Sequence, residues 1–508
     1  MKIKTFLLTA ICFACTFPVF ADFTDGDFTF RENGSDCTLI GYSGVGGDVT
    51  IPSVGVKAEG GSTYTVSAIG GGAFRNNRNS LTSVIIPNSV KTIREGAFDS
   101  CAALASITIP NSVETIGDQA FSYCDMLTDI NVADGNISWA SEDGALYDKS
   151  KSLLHTCPGG KSGPFTIPSS VTTIGSYAFL SCDALTEVTI GSSVRTIGSH
   201  AFNYCSGLAS VTIPSSVTEV GDFAFADCAA LTEITIGNSV ETIGEKAFRA
   251  CAGLASITIT KSVTTIGSGA FESCQALTEI NVDDENISWA SQDGALYNKG
   301  KSLLHTYPAG KSGSFIIPSS VTTIAPSALY GCVSLISVVI PNSVTAIGWY
   351  AFAYCSNLAS VVIPNSVTAI ENNSFRGCSA LVSITIPNSV TAIGNNAFSH
   401  CGSLASVAIP NSVTAIGWNA FEYCSSLASV AIPSSVTAIG WYAFDSCAGL
   451  KDITVSLPTP LVISEWYYVF KDVNLSSCTL YVPAGAESLY AAAEVWKNFG
   501  TILETAAE

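Results

Sequence analysis

An aliphatic residue, in most cases followed by Pro, Gly or a polar residue and then Ser-Val, returns every 23 residues along this chain. The anchors run Ile86, Ile109, Val132, Ile167, Ile190, Ile213, Ile236, Ile259, Val282, Ile317, Ile340, Ile363, Ile386, Ile409, Ile432 and Val455. Every step is 23 except Val132 to Ile167 and Val282 to Ile317, which are 35. A fixed period of this size means stacked units that bury their apolar faces only against their neighbours. The chain is therefore expected to be a repeat solenoid with a parallel β-sheet on one face. Its 508 residues need not divide into several globular domains.

One rung shows the logic. Leu358-Ala-Ser-Val361-Val-Ile363 alternates as a strand, with Ser360 and Val362 facing outward. Pro364 lacks an N–H and ends the strand, and Asn365-Ser366 suits a corner. Val367 to Ile370 alternates again, as a second short strand. A G-x-x-A-F-x-x-C-x-x-L segment follows, as in Gly394, Ala397, Phe398, Cys401 and Leu404. Its spacing of three to four predicts a short helical turn with one buried face.

The two long rungs, at about 132–167 and 282–317, match each other. Asn136-Ile-Ser-Trp139 recurs as Asn286-Ile-Ser-Trp289, and each long rung lacks the Ala-Phe-Cys segment. Each is expected to carry a hairpin instead, Ala145–Asp148 against Leu153–Thr156 in the first. Residues 22–67 are expected to form an N-terminal β cap, 68–457 the solenoid and 458–508 a C-terminal cap with a helix over Ala486 to Asn498.

Residues 1–21 read as a signal peptide: Lys2 and Lys4, then an apolar run from Phe6 to Phe20, with cleavage expected after Ala21. Cys12 and Cys15 lie in this segment without a convincing lipidation context. Loss of Lys2 and Lys4 takes the formal charge from −19 to −21. Such acidity argues against nucleic-acid partners, and no later apolar run predicts membrane insertion of the mature chain. Charge is uneven: between Ser319 and Cys447 only Glu371, Arg376, Glu422 and Asp445 are charged. Cys101, Cys124, Cys182, Cys205, Cys228, Cys251, Cys274, Cys332, Cys355, Cys378, Cys401, Cys424 and Cys447 follow the repeat. One cysteine per rung gives each two equal neighbours and no unique pairing, so a column of buried thiols is the favoured reading, with bridges conceivable. Paired zinc-type spacings do not occur in the mature chain.

The pattern L-x-x-V-x-I-P-N-S-V-T-x-I-G-x-x-A-F-x-x-C resembles the BspA-type (Treponema-type) leucine-rich repeat of bacterial surface proteins. The D-G-A-L-Y…L-L-H-T rungs and the closing L-Y-V-P…W-K-N-F also look like that family, so the resemblance covers roughly residues 40–500. It implies a secreted or cell-surface, non-enzymatic leucine-rich-repeat solenoid without cofactor. It also implies adhesion to host matrix or plasma proteins, coaggregation with other bacteria, or recognition by innate immune receptors.

Candidate contacts are few. The outward sheet positions are small, as at Ser360, Val362, Ser406 and Ala408, and carry no anchor residues. The variable pair of G-x-x-A-F holds Trp349, Tyr350, Trp418, Trp441 and Tyr442, all in the uncharged segment. Sharing one repeat position, they are expected on one face, either as a binding patch for a protein or glycan or as a cover over the turn. His155 and His305 are equivalent residues of the long rungs, which favours packing over catalysis. His200 and His400 have no repeated carboxylate partner. Gly160-Lys161-Ser162 and Gly310-Lys311-Ser312 lack the upstream glycine of a phosphate loop and read as turns. Asn136-Ile-Ser and Asn286-Ile-Ser are glycosylation-type tripeptides. The expected partner is an extracellular protein, host or bacterial, with a glycan- or wall-associated display scaffold as the second reading.

Overall fold

The computed structural model describes residues 21–505. The proposed signal segment, with Lys2, Lys4, Cys12 and Cys15, lies outside them. The chain divides into two compact units, residues 1–144 and 145–508. Each is a parallel β-solenoid with almost no helix.

The first unit opens with an antiparallel meander, Asp22–Asp25, Phe28–Asn33 and Asp36–Tyr42. Asp36–Tyr42 then pairs in parallel with Thr63–Ile69, which starts a ladder through Thr92–Ile93 and Thr115–Ile116. A second parallel pair joins Ser106–Ile109 to Asp129–Val132. Between these ladders the rings of Phe74, Phe98 and Phe121 stack at 5.2 and 5.6 Å. The antiparallel strands cover an end that would otherwise expose one face of the stack.

The second unit repeats one rung many times. Its longest sheet has nine strands, from Gly313–Ile316 to Thr501–Glu504. The register is a shift of one whole repeat: Val338 opposes Val361, which opposes Ile384, then Val407, Val430 and Ile453. Identical positions therefore stack on identical positions, and the aliphatic, Phe and Cys columns stay buried from rung to rung. The shorter strands form a second ladder, for example Ala369–Ile370 through Ala438–Ile439. The second long rung folds as an antiparallel meander of Trp289–Gln292, Ala295–Asn298 and Leu303–Thr306. Its last strand rejoins the ladder beside Thr323–Ile324.

The third side departs from expectation. The A-F-x-x-C segment is a run of turns, not a turn of helix. Ala351, Cys355 and Leu358 make bonds to residues three back, which preserves the helix-like spacing of buried residues. The intervening N–H groups turn outward to the next rung instead. Tyr350 N–H donates to Asn372 O (3.1 Å), Phe352 N–H to Ser374 O (2.8 Å) and Tyr354 N–H to Arg376 O (2.6 Å). Aiming them so requires two left-handed residues per rung, such as Tyr350 and Tyr354 at φ 57° and 59°. Left-handed backbone costs about 1–2 kcal/mol for a side-chain-bearing residue. Three lateral hydrogen bonds per rung offset it, whereas a helix would spend those donors internally.

The phenylalanine column forms continuous ring stacks, from Phe179 to Phe271 and from Phe352 to Phe470, with Leu329 between them. All sixteen cysteines of the described residues are buried and unbridged. Their thiols have a specific task. Cys205 donates to Phe179 O at 3.0 Å, and the same bond recurs from Cys228, Cys251, Cys274, Cys378, Cys401, Cys424 and Cys447 to the preceding rung's Phe carbonyl.

At the C-terminal end, helix occupies only Glu487–Ala492. Extended Ala493 and left-handed Val495 interrupt it before a 3-10 turn at Trp496–Asn498. The interruption lets Trp496 turn inward. Its indole N–H donates to Leu461 O at 2.9 Å, and the Tyr490 hydroxyl donates to Leu457 O at 3.0 Å.

Candidate binding face

Trp349, Trp418 and Trp441 occupy one column on the turn side, and Tyr350 and Tyr442 the next. Stacking does not bring all five together. Trp418 and Trp441 lie on adjacent rungs with ring centroids 5.7 Å apart, and Tyr467 continues the row at 5.8 Å from Trp441. Beside it, Tyr442 stacks on Tyr468 at 5.5 Å, and Lys471 Nζ lies 5.7 Å from the Tyr442 ring. The two indoles are about half exposed, at 58% and 48%, and Trp466, next to Tyr467 in sequence, is 76% exposed. Two intervening rungs separate Trp349 from this group. Asn372 and Asn395 fill the column there, each accepting the N–H of the residue one rung on, at 2.7 and 2.8 Å. Tyr350 faces another cluster, with Tyr330 at 6.2 Å and Tyr354 beyond it.

Trp466, Tyr467 and Tyr468 were not among the residues singled out from sequence, because the strict repeat ends before them. Phe470 carries the signal: it continues the phenylalanine column, so the tyrosines two and three residues before it fall in the two variable columns. The second variable column is aromatic at Tyr177, His200 and Phe223 as well, stacked at 4.8 and 4.7 Å.

The sheet face carries a column of serines. Ser337, Ser360, Ser383, Ser406 and Ser429 oppose one another along it. Ile316, Val339 and Val362 form an exposed aliphatic column beside them.

The remaining candidates have structural roles. His305 is buried, with Nε2 3.2 Å from Ile266 O and Nδ1 2.9 Å from Thr306 Oγ1, edge-on to Trp289. Burial pulls its pKa down to about 4, so the ring is neutral. Lys311 Nζ donates to Asp293 O, closing a turn. Asn286 is buried, and its amide donates to Thr260 O and Val263 O while its oxygen accepts from Ser288 and Trp289 N–H. Asn136 makes the corresponding bonds in the first unit. Both tripeptides thus place their Asn inside the fold. Among the described residues no cluster of His, Cys, Asp and Glu has the arrangement to hold a metal ion. None of their helices is long and apolar enough to cross a membrane.

A family model described as the BspA-type leucine-rich repeat region matches residues 62–148, 162–293, 309–425 and 347–476, more than half of the chain. The chain belongs to the BspA-type leucine-rich repeat family. Among solved structures, this BspA-type chain is similar to a leucine-rich cell surface protein from Faecalibacterium prausnitzii A2-165. The two are 33% identical over 81% of this chain and 94% of the other, with a TM-score of 0.52. It is also similar to a leucine-rich repeat protein from Bacteroides ovatus, at 26% identity over 91% of this chain and 100% of the other, with a TM-score of 0.40. A third similar structure is the pneumococcal vaccine antigen PcpA, at 20% identity over 96% and 100% of the two chains, with a TM-score of 0.49. No curated protein matches the chain.

Proposed function

We propose that this chain is a non-enzymatic binding protein of the bacterial surface or its surroundings, adhesin-like, that grips an extracellular protein of host or bacterial origin. The observation that carries the reading is the exposed row of Trp418, Trp441 and Tyr467, which starts in the uncharged segment and ends beside Lys471. Large flat rings held in place lose little conformational entropy on binding and supply hot-spot area. Membership of the family and likeness to a cell-surface protein support an exported location. The signal segment of residues 1–21 supports the same location.

The test is capture of host extracellular matrix and plasma proteins by residues 22–508, compared with a Trp418→Ala/Trp441→Ala variant. Wild type retains a partner when salt rises from about 0.1 to 0.5 M, because an apolar contact is little screened. The double variant, with unchanged circular dichroism, loses binding at least about 30-fold. Unchanged capture by the folded variant overturns the choice of contact face.

A further inference from the structure

The second long rung has no outer turn, and its neighbours meet across the gap. Ser268 Oγ donates to Pro326 O at 3.3 Å and Gln275 Nε2 to Gly331 O at 3.0 Å, bridging residues more than fifty apart in sequence. Beside this seam lies a notch of about 270 Å³, lined by Phe223, Lys246, Arg249, Glu272, Ser327, Tyr330 and Tyr350. It exists because one column is interrupted. That column reads Tyr177, His200, Phe223 and Lys246, then Gly269 and Ser327, and returns to a large residue at Tyr350. Gly269 removes the side chain that would fill the space: a Cβ there would lie 2.6 Å from Glu272 Oε2.

The floor of the notch is chemically loaded. The Glu272 side chain is 3% exposed, with Oε1 3.1 Å from Arg249 Nε. Arg249 also holds Asp227 at 2.9 Å. Glu272 Oε2 is buried and meets no donor in full hydrogen-bonding geometry, with the Ser327 hydroxyl as its near neighbour. Desolvation raises the pKa of this carboxyl, against the pull of Lys246, Arg249 and Ser327. Lys246 Nζ sits 5.4 Å from the Phe223 ring and 3.3 Å from Glu245. Tyr330 and Tyr350 form the opposite wall.

Stacking does not demand this cluster. The block is duplicated 150 residues earlier, where Gly96, Asp99, Gln119, Ser122 and Leu180 stand at the positions of Lys246, Arg249, Gly269, Glu272 and Tyr330. The same rung design proceeds there without an Arg–Glu pair and without the glycine.

We propose that this notch binds one sugar unit of a glycan. A hydroxyl donor completes Glu272 Oε2, and neighbouring hydroxyl oxygens accept from Arg249, Lys246 and the Ser327 hydroxyl. Tyr330 and Tyr350 supply apolar walls for the C–H faces of a pyranose, with Phe223 lining the notch beside Lys246. The volume is below that of sites for drug-sized ligands and suits one ring. The site is separate from the Trp418–Trp441 row and does not depend on it.

The test is saturation-transfer NMR and calorimetry of residues 22–508 with glucose, galactose, N-acetylglucosamine and N-acetylneuraminic acid, with glycine and lysine as zwitterionic and cationic controls. A Gly269→Asn variant refills the column with the residue that stands at Asn373, Asn396 and Asn419, each left-handed at φ 54–59°. A Glu272→Gln variant keeps the side-chain shape while removing the charge. At least one sugar is expected to bind the wild type, and Gly269→Asn, folded by circular dichroism, to weaken it at least tenfold. Glu272→Gln is expected to weaken it at least threefold. Absence of sugar binding, or sugar binding that Gly269→Asn leaves intact, overturns the proposal. So does binding of lysine or glycine in place of the sugars that Gly269→Asn abolishes.

Discussion

The thiol of Cys205 donates to the carbonyl oxygen of Phe179 at 3.0 Å, joining one rung to the next through the core. The N–H of Cys182 already donates to that oxygen, so the thiol uses its second lone pair. This explains why cysteine, rather than alanine, recurs in the column: it is small, apolar and still a donor.

Buried thiols of this kind do not react. Burial pushes Cys401 up to about 12, and the thiolate is the nucleophile. The folded chain is expected to show no fast-reacting thiol with Ellman's reagent. All sixteen cysteines of residues 22–508 are expected to react in denaturant, with no change on prior reduction. Even two fast-reacting thiols in the folded chain would contradict the burial.

Phe398 lies between Phe375 at 5.5 Å and Phe421 at 5.4 Å. Phe398→Ala is expected to cost about 3–5 kcal/mol, by lost burial and a cavity. Because rungs couple chiefly to neighbours, denaturation followed by circular dichroism should broaden into steps. Trp418→Ala, at an exposed position, should shift stability by less than about 1 kcal/mol.

Asn286 serves four backbone groups at once. Asn286→Ala strands two buried carbonyls and two N–H groups, so a loss of at least about 3 kcal/mol is expected in urea denaturation. Expression in a glycosylating host leaves this residue unmodified in the folded protein, which mass spectrometry checks.

His305 gives a pH dependence with a definite sign. Burial lowers its pKa from 6.5 to about 4 in the folded chain, so the unfolded chain binds the proton more readily. Its contribution is full above pH 6.5, falls as pH drops, and levels off below about 4. The span is on the order of 3 kcal/mol. Denaturation of wild type and His305→Gln across pH 4–7.5 measures it; parallel curves would refute the assignment.

Burial was legible in the sequence wherever a column repeats. Phe398, Cys401 and Val407 have the same neighbours as their equivalents one rung away, so one rung's alternation describes them all. The hairpin of the long rungs was legible for the same reason, since Ala295–Asn298 and Leu303–Thr306 alternate around a polar turn. The outer segment was misread as helical because spacing reports only which side chains face inward. It does not report where the backbone N–H groups point, and those of Tyr350, Phe352 and Tyr354 point to the next rung. The aromatic row was half legible: Trp418 and Trp441 share a repeat position, but Tyr467 lies beyond the strict period.

The sequence by itself determined the stacked parallel architecture, the buried columns and the family, because a constant period imposes the same environment on every copy. Only the tertiary structure decided which irregular residues meet. Tyr467 joins the Trp418–Trp441 row from beyond the strict period, and the Arg249–Glu272 pair faces Tyr330 across a rung that lacks its outer turn. Such contacts depend on where a rung is shortened and which column carries a glycine, and no period encodes either.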